Sequence, residues 1–312
     1  MLVIGDGGPL HAAIERDLRT QSLPYESVSL EDLAGWSDGR AAAFAGVLCG
    51  YSDAAGMTAV TRAVVGHRRL ASVPFEFVAG LDEERAEFER LDEYAGTWFL
   101  SPVLLDDPTP YAIYRESLTH FEQKCGLRDY LDLYQLLRHV VTEDVPGTVA
   151  EFGSYRGHSG YLIARTLDAL GSDKHVHLFD TFEAFPTEPL GVDHFWSRTH
   201  EVDGAEVVAK LGGLSRVHLV QGDFAQTLPD SAVAPVALAH VDCDSYRATR
   251  LVLDELVSDA VSPGGVILCE DYGHPALLGS RTAVHDALAG ARGWLRFFSQ
   301  FSGCYVMVKV QS

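Results

Sequence analysis

The sequence is short of cysteine and arranges none of it as a metal or disulfide pattern. Cys49, Cys125, Cys243, Cys269 and Cys304 include no CxxC pair, and five is an odd number. A disulfide framework is therefore not expected; reduced thiols in a cytoplasmic protein are. Positive charge is scarce too. Lys and Arg number 24 against 44 Asp and Glu, a net charge of −20. Such a surface repels nucleic acid and anionic membranes and offers no basic stripe to a phosphate backbone, so neither is an expected partner. No apolar run approaches the roughly 20 residues of a membrane span. The opening MLVIGDGGPL lacks the basic flank and the length of a signal peptide. Phosphate-binding signatures are missing as well. Gly5, Gly7 and Gly8 do not follow GxGxxG spacing, and the turn they form reads as a tight strand-to-helix connection. Internal repeats and low-complexity tracts are absent.

What is present is alternation. The 312 residues are 47% hydrophobic, enough for one large or two ordinary domains. Residues 1–95 read as a small α/β domain, with strands at 2–4, 26–30, 43–49 and 75–79 and helices at 11–20 and 57–65. A charged stretch at 81–91 reads as an exposed helix, and prolines mark a linker at 96–110. Residues 111–312 carry two helical patterns before 142 and then a βα rhythm. Strands are expected at 148–152, 175–180, 217–220, 236–241 and 265–269, with helices at 161–170, 204–211, 247–258 and 281–289. Strands at 295–300 and 304–310 are joined by Phe301, Ser302 and Gly303, which demands an antiparallel hairpin. This describes a doubly wound sheet with a reversed last strand, whose ligands lie at the carboxyl ends of the strands.

Those ends carry the chemistry. The stretch VALAHVDCDSY ends in Asp242 and Asp244, which share a side if the strand stays regular. GGVILCEDYG ends in Glu270 and Asp271. Four carboxylates at one rim are costly without a cation. AEFGSYRGHSG supplies an acid, Glu151, and a glycine turn with Gly153 and Gly157. Asp180 ends the next strand, where an acid can bind ribose hydroxyls, and Asp223 and Phe224 end the third, placed to hold and stack an adenine. Together they point to an adenosine-type cofactor, and without a phosphate cradle S-adenosylmethionine (SAM) suits better than a nucleotide.

Residues from about 110 to 312 resemble the macrocin O-methyltransferase (TylF-like) family through VAEFGSYRGHSG, LFDTFEAFP, VQGDFAQTLP, HVDCDSY and GGVILCEDYGHP. The resemblance implies a class I SAM methyltransferase fold, Rossmann-like with seven strands. It further implies SAM as donor, magnesium or another divalent cation, and a sugar hydroxyl on a natural product as acceptor, as in antibiotic tailoring. Asp242, Glu270 and Asp271 match the metal-binding acids, and Asp244 the acid proposed as general base. Ser245 stands where other members carry a histidine, and a glutamate stands at 270 where the family commonly has aspartate. The cofactor side comprises Glu151, Gly153, Ser154, Tyr155, Gly157, Ser159, Asp180, Thr181, Phe182, Asp223, Phe224 and Asp242.

Magnesium favours one or two carboxylates with positions left for substrate, and coordination lowers a hydroxyl's pKa. His274, close after EDYG, is the alternative base; His158, His194, His200 and His240 read as packing or surface residues. The aromatic loop 185–200 has the length of a substrate lid. A catechol-type O-methyltransferase would share the metal but usually has a lysine near the first metal acid, where Arg247 is the nearest basic residue here. A non-catalytic SAM-binding protein would need the metal acids broken, and they are intact. The expected partners are a small-molecule glycoside and further copies of the chain, a dimer or larger.

Overall fold

The computed structural model describes residues 1–50, 54–77, 107–188, 191–214, 216–230 and 233–310. The charged stretch 81–91 and the expected linker up to residue 106 lie outside the described residues. The chain divides into two compact units, one of residues 1–103 and 187–197, the other of 104–186 and 198–312.

The first unit holds a parallel sheet in the order β2-β1-β3-β4. Its strands are β1 (Leu2–Gly5), β2 (Glu26–Val28), β3 (Val47–Gly50) and β4 (Phe75–Phe77). The central strand β1 is continuously apolar and buried, as a strand with neighbours on both edges must be. Helix Pro9–Thr20 starts with proline in its first turn and buries Leu10, Ala13, Ile14 and Leu18 at helical spacing. Two expected strands are shorter than the apolar pattern suggests, because caps intervene. Ser29 and Asp32 form a capping box that begins a helical turn at Leu30, ending β2 at Val28. Ser37 caps Asp38–Ala41, delaying β3 to Val47. Residues 187–197, the middle of the expected lid, group with this unit, where the Gly191 N–H donates to Ser72 Oγ at 2.8 Å.

The second unit holds a seven-stranded sheet in the order β10-β11-β9-β8-β5-β6-β7. The strands are β5 (Thr148–Phe152), β6 (Val176–Asp180), β7 (Val217–Gln221), β8 (Val236–Val241), β9 (Val261–Cys269), β10 (Trp294–Phe298) and β11 (Tyr305–Lys309). The last strand, β11, runs antiparallel to both neighbours, and the other pairings are parallel. After β7 the chain returns to place β8 beside β5, so the order reverses there and opens a crevice at the strands' carboxyl ends. β9 begins four residues before the expected start because the Pro-Gly-Gly segment is carried through as an irregularity in register. Residues after Gly222 form a helix, Phe224–Asp230, that is not among the expected elements.

Alternation sends successive strand residues to opposite faces. Leu178, Leu238 and Leu268 join Leu133 and Leu137 of helix Leu127–Thr142 in one core. Phe179, Ala239 and Ile267 join Val252, Leu253 and Val284 in the other. The five cysteines are buried free thiols.

Candidate active site

The carboxyl end of β5 is built around a backbone approach. Gly153 has φ +92°, and a Cβ there would lie 1.7 Å from the carbonyl oxygen of Asp242. Glycine is therefore required where the loop after β5 crosses the end of β8. Gly157, at φ +84°, turns the chain into helix His158–Ala169. Asp180 fastens the loop. Its Oδ2 accepts the N–H groups of Ser154 (2.9 Å) and Tyr155 (2.8 Å), and its Oδ1 accepts the N–H of Phe182 (2.8 Å). Burial raises its pKa above the ordinary carboxylate value, with these donors opposing the rise.

The expected role of Asp180 toward ribose thus shares the carboxylate with a structural one. Thr181 donates its hydroxyl to Asp180 Oδ1 at 3.4 Å, and Phe182, expected on the cofactor side, is a core residue 4% exposed. Ser154 and Ser159 are buried, and Tyr155 lies under the cations of Arg156 and Lys124. Asp223 accepts the Ala225 N–H at 2.8 Å, as a cap for the helix it precedes, and stands 3.5 Å from Arg247. Phe224 meets Phe152 edge-on.

The acids after β8 and β9 converge. Ligand oxygens of Asp242, Asp244 and Asp271 lie within 4.8 Å of one another, the group among the described residues with the makings of a metal site. The strand stops at Val241, so alternation does not bring Asp244 back. A left-handed backbone, φ +56°, does so instead. The Asp244 N–H donates to Asp271 Oδ2 at 2.8 Å, and the Ser280 hydroxyl reaches the same oxygen at 3.3 Å. Burial, then the surrounding negative charges, lift Asp242 and Asp271 well above the ordinary carboxylate range and push Asp244 up to about 6. Carboxylates so placed hold protons until positive charge replaces them. An all-oxygen donor set suits a hard divalent cation such as magnesium.

Glu270 is not one of these three, although its carboxyl is hydrogen-bonded to that of Asp242. Its Oε2 makes an ion pair with His240 Nε2 at 3.2 Å, while His240 Nδ1 bonds Glu151 Oε1 at 3.0 Å. Burial alone would lower the His240 pKa; the two glutamates override it and raise the value to about 10. Burial acts on Glu270 in the opposite sense, and His240 holds its pKa below the ordinary value. The structure thus gathers Asp244 with Asp242 and Asp271, and sets Glu270 between His240 and Asp242, beside the acids with which the motif match groups it.

Two residues near this rim have no role in the sequence reading. The sequence reads His240 as a packing or surface residue, yet it lies two residues before Asp242 and in register with Glu151. Asp129, in the first turn of helix Leu127–Thr142, has its pKa pushed up to about 6 by burial and then by Glu270. Of the other histidines, His274 is exposed with Nδ1 accepting the Ala276 N–H, and it is not in the acid group. His158 is buried, with Nδ1 accepting the N–H groups of Lys124 and Cys125 and Nε2 2.8 Å from Ser117 Oγ. Across the crevice, Glu151 Oε2 and Ser154 Oγ are buried without a hydrogen-bond partner. They suit a ligand's polar groups beside the glycine loop.

A family model described as macrocin-O-methyltransferase (TylF) matches residues 124–289, which include every candidate site residue. A curated relative, the 8-demethyl-8-(2,3-dimethoxy-alpha-L-rhamnosyl)-tetracenomycin-C 4'-O-methyltransferase of Streptomyces olivaceus, is 31% identical over 175 residues, 52% of this chain and 65% of the relative. The match thus spans a little under two thirds of that relative's length. The mycinamicin III 3''-O-methyltransferase of Micromonospora griseorubida is 27% identical over 179 residues, 52% of this chain and 68% of the relative. Among solved structures, the O-methyltransferase NovP aligns with a TM-score of 0.54 at 23% identity, covering 60% of this chain and 81% of its own. CalS11, a calicheamicin methyltransferase, aligns at 0.50 and 22%, covering 75% of this chain and 95% of its own. At such identities the likeness concerns the fold, which is that of class I SAM methyltransferases.

Proposed function

The chain belongs to the macrocin O-methyltransferase family, and from that membership we propose that it transfers a methyl group from SAM to a hydroxyl of a sugar or glycosylated natural product, with a divalent cation. The observation that carries the reading is the group of Asp242, Asp244 and Asp271 at the ends of β8 and β9, next to the glycine loop of β5.

In this reading Asp242 and Asp271 hold the cation, magnesium by the hardness of the donors. When bound, it would lower the acceptor hydroxyl's pKa and fix its orientation. Asp244 takes the proton: it stands in the same group as the acids that would hold the cation. Glu151 and Ser154 offer their unpartnered oxygens to the cofactor, and the Gly153 turn lets backbone approach it closely. Asp180 keeps that turn in shape. When bound, SAM would offer its methyl carbon to the acceptor oxygen, the C–S bond breaking as the neutral thioether departs, so orientation would supply much of the rate and no covalent enzyme intermediate would be needed.

The reading extends to a separate N-terminal α/β domain without catalytic residues, a cytoplasmic setting that suits buried free thiols, and assembly with further copies of the chain. The test is calorimetry with S-adenosylhomocysteine (SAH), followed by turnover with magnesium on glycosides and on catechols. Binding with turnover of a glycoside supports the proposal. Turnover confined to catechols, or no SAH binding, refutes it.

A further inference from the structure

The acid group and the glycine loop are joined by a side-chain bridge across three strands. Glu151 on β5 and His240 on β8 are register partners, and His240 pairs with Leu268 on β9, two residues before Glu270. β9 ends at Cys269 and Glu270 opens the turn that follows, its carboxylate reaching back to His240, so the three side chains meet in a row. Glu151 is 0% exposed and His240 1%. One imidazole nitrogen bonds Glu151 at 3.0 Å and the other faces Glu270 at 3.2 Å, so both ends of the ring are engaged. The remaining Glu151 oxygen is buried and unpartnered, and belongs to the cofactor side under the function proposed above. The other end of the bridge reaches the acid rim, since Glu270 directly precedes Asp271 in the turn that ends β9.

We infer that His240 is a positioning residue that links the cofactor pocket to the cation site, by bridging Glu151 and Glu270 into one rigid element. Held this way, Glu270 stands between the histidine and Asp242, to which its carboxyl is hydrogen-bonded, and a shift at either end is transmitted to the other through a buried ring. Isolated packing would give His240 one polar partner or none; two carboxylates from flanking strands make it a connector. Coupling through such a bridge is reciprocal, so occupancy of either site tightens the other.

The inference rests on the proposed function and is tested separately from it. SAH binding is measured by calorimetry with and without saturating Mn2+, in wild-type protein and in His240→Gln. Manganese should tighten SAH about fivefold or more in the wild type, the usual scale of linkage between sites. In His240→Gln the factor between them should fall to near one, whatever each ligand's own affinity becomes. A merely structural histidine would lower both affinities and leave the factor intact, and that result overturns the inference. Glu270→Gln gives a second reading should His240→Gln not fold: the factor should shrink there as well, and an undiminished factor overturns the inference. Wild-type protein that binds both ligands without coupling overturns this inference alone. Wild-type protein that binds neither overturns the proposed function with it.

Discussion

Replacing Gly153 by alanine tests the backbone crossing on which the site is built. The added Cβ would lie 1.7 Å from the Asp242 carbonyl oxygen, 2.7 Å from its carbon and 3.5 Å from the Cys243 Cα. These are backbone atoms, so no side chain can swing aside. The conformation, φ +92°, adds strain of its own, about 1–2 kcal/mol for a residue with a Cβ. Forcing extra volume into a packed region adds about 1–3 kcal/mol. The sum is roughly 2–5 kcal/mol, a large part of a typical domain's stability. Gly171→Ala is the control: its φ of +65° carries the conformational strain, but nothing lies within 4 Å of the new Cβ. It should lose only about 1 kcal/mol. Urea unfolding followed at unchanged m gives both losses. If Gly153→Ala unfolds at the same midpoint as Gly171→Ala, the close approach of the two strand ends is not real, and the placement of Asp242 falls with it.

Asp244→Asn keeps size and hydrogen bonding, so Mn2+ and acceptor should still bind while kcat falls about 10²–10⁴-fold in steady-state assays; an active Asp244→Asn beside a dead His274→Ala would show that the base is the histidine. Asp180→Ala strips the Ser154, Tyr155 and Phe182 N–H groups of their acceptor, and calorimetry should find SAH binding weaker by roughly 1–3 kcal/mol. Unchanged affinity would mean that the loop needs no fastening. The folded pKa values of Asp242, Asp244 and Asp271 lie above their unfolded ones. The stability these groups confer is therefore complete below about pH 4 and is lost as pH rises through the folded values, about 6 for Asp244 and well above the ordinary carboxylate value for the other two. A cation replaces the lost protons, so the rise in Tm given by magnesium should grow between about pH 5 and about pH 8. A rise that stays flat would show that the acids do not take the cation.

The strand–helix alternation of residues 148–310 could be read directly, because parallel strands buried on both faces leave continuous apolar runs such as VALAHV. The hairpin of β10 and β11 followed from a link too short for any other connection. The boundaries that moved did so at caps, as at Ser29 and Ser37, where one polar side chain outweighs a β-like pattern. In the site, the convergence of Asp242 and Asp271 was legible as two strands ending in acids. The place of Asp244 was expected for a different reason from the one that operates: it depends on a left-handed residue that alternation does not foresee. Glu270 and His240 were the least legible, since their pairing requires the register of three strands distant in sequence. A histidine two residues before a site acid was the available signal. Asp129 offered none, being brought to the rim by the packing of its helix.

The most direct test is transfer of the methyl group itself. The enzyme is incubated with methyl-labelled SAM and a panel of hydroxylated glycosides, with magnesium, with EDTA, and with EDTA followed by excess magnesium. Label should enter a glycoside in the first condition, vanish in the second and return in the third, and Asp242→Ala should show none in any of them. Label transfer that ignores EDTA and survives Asp242→Ala would contradict the account, leaving the acids of β8 and β9 a structural feature.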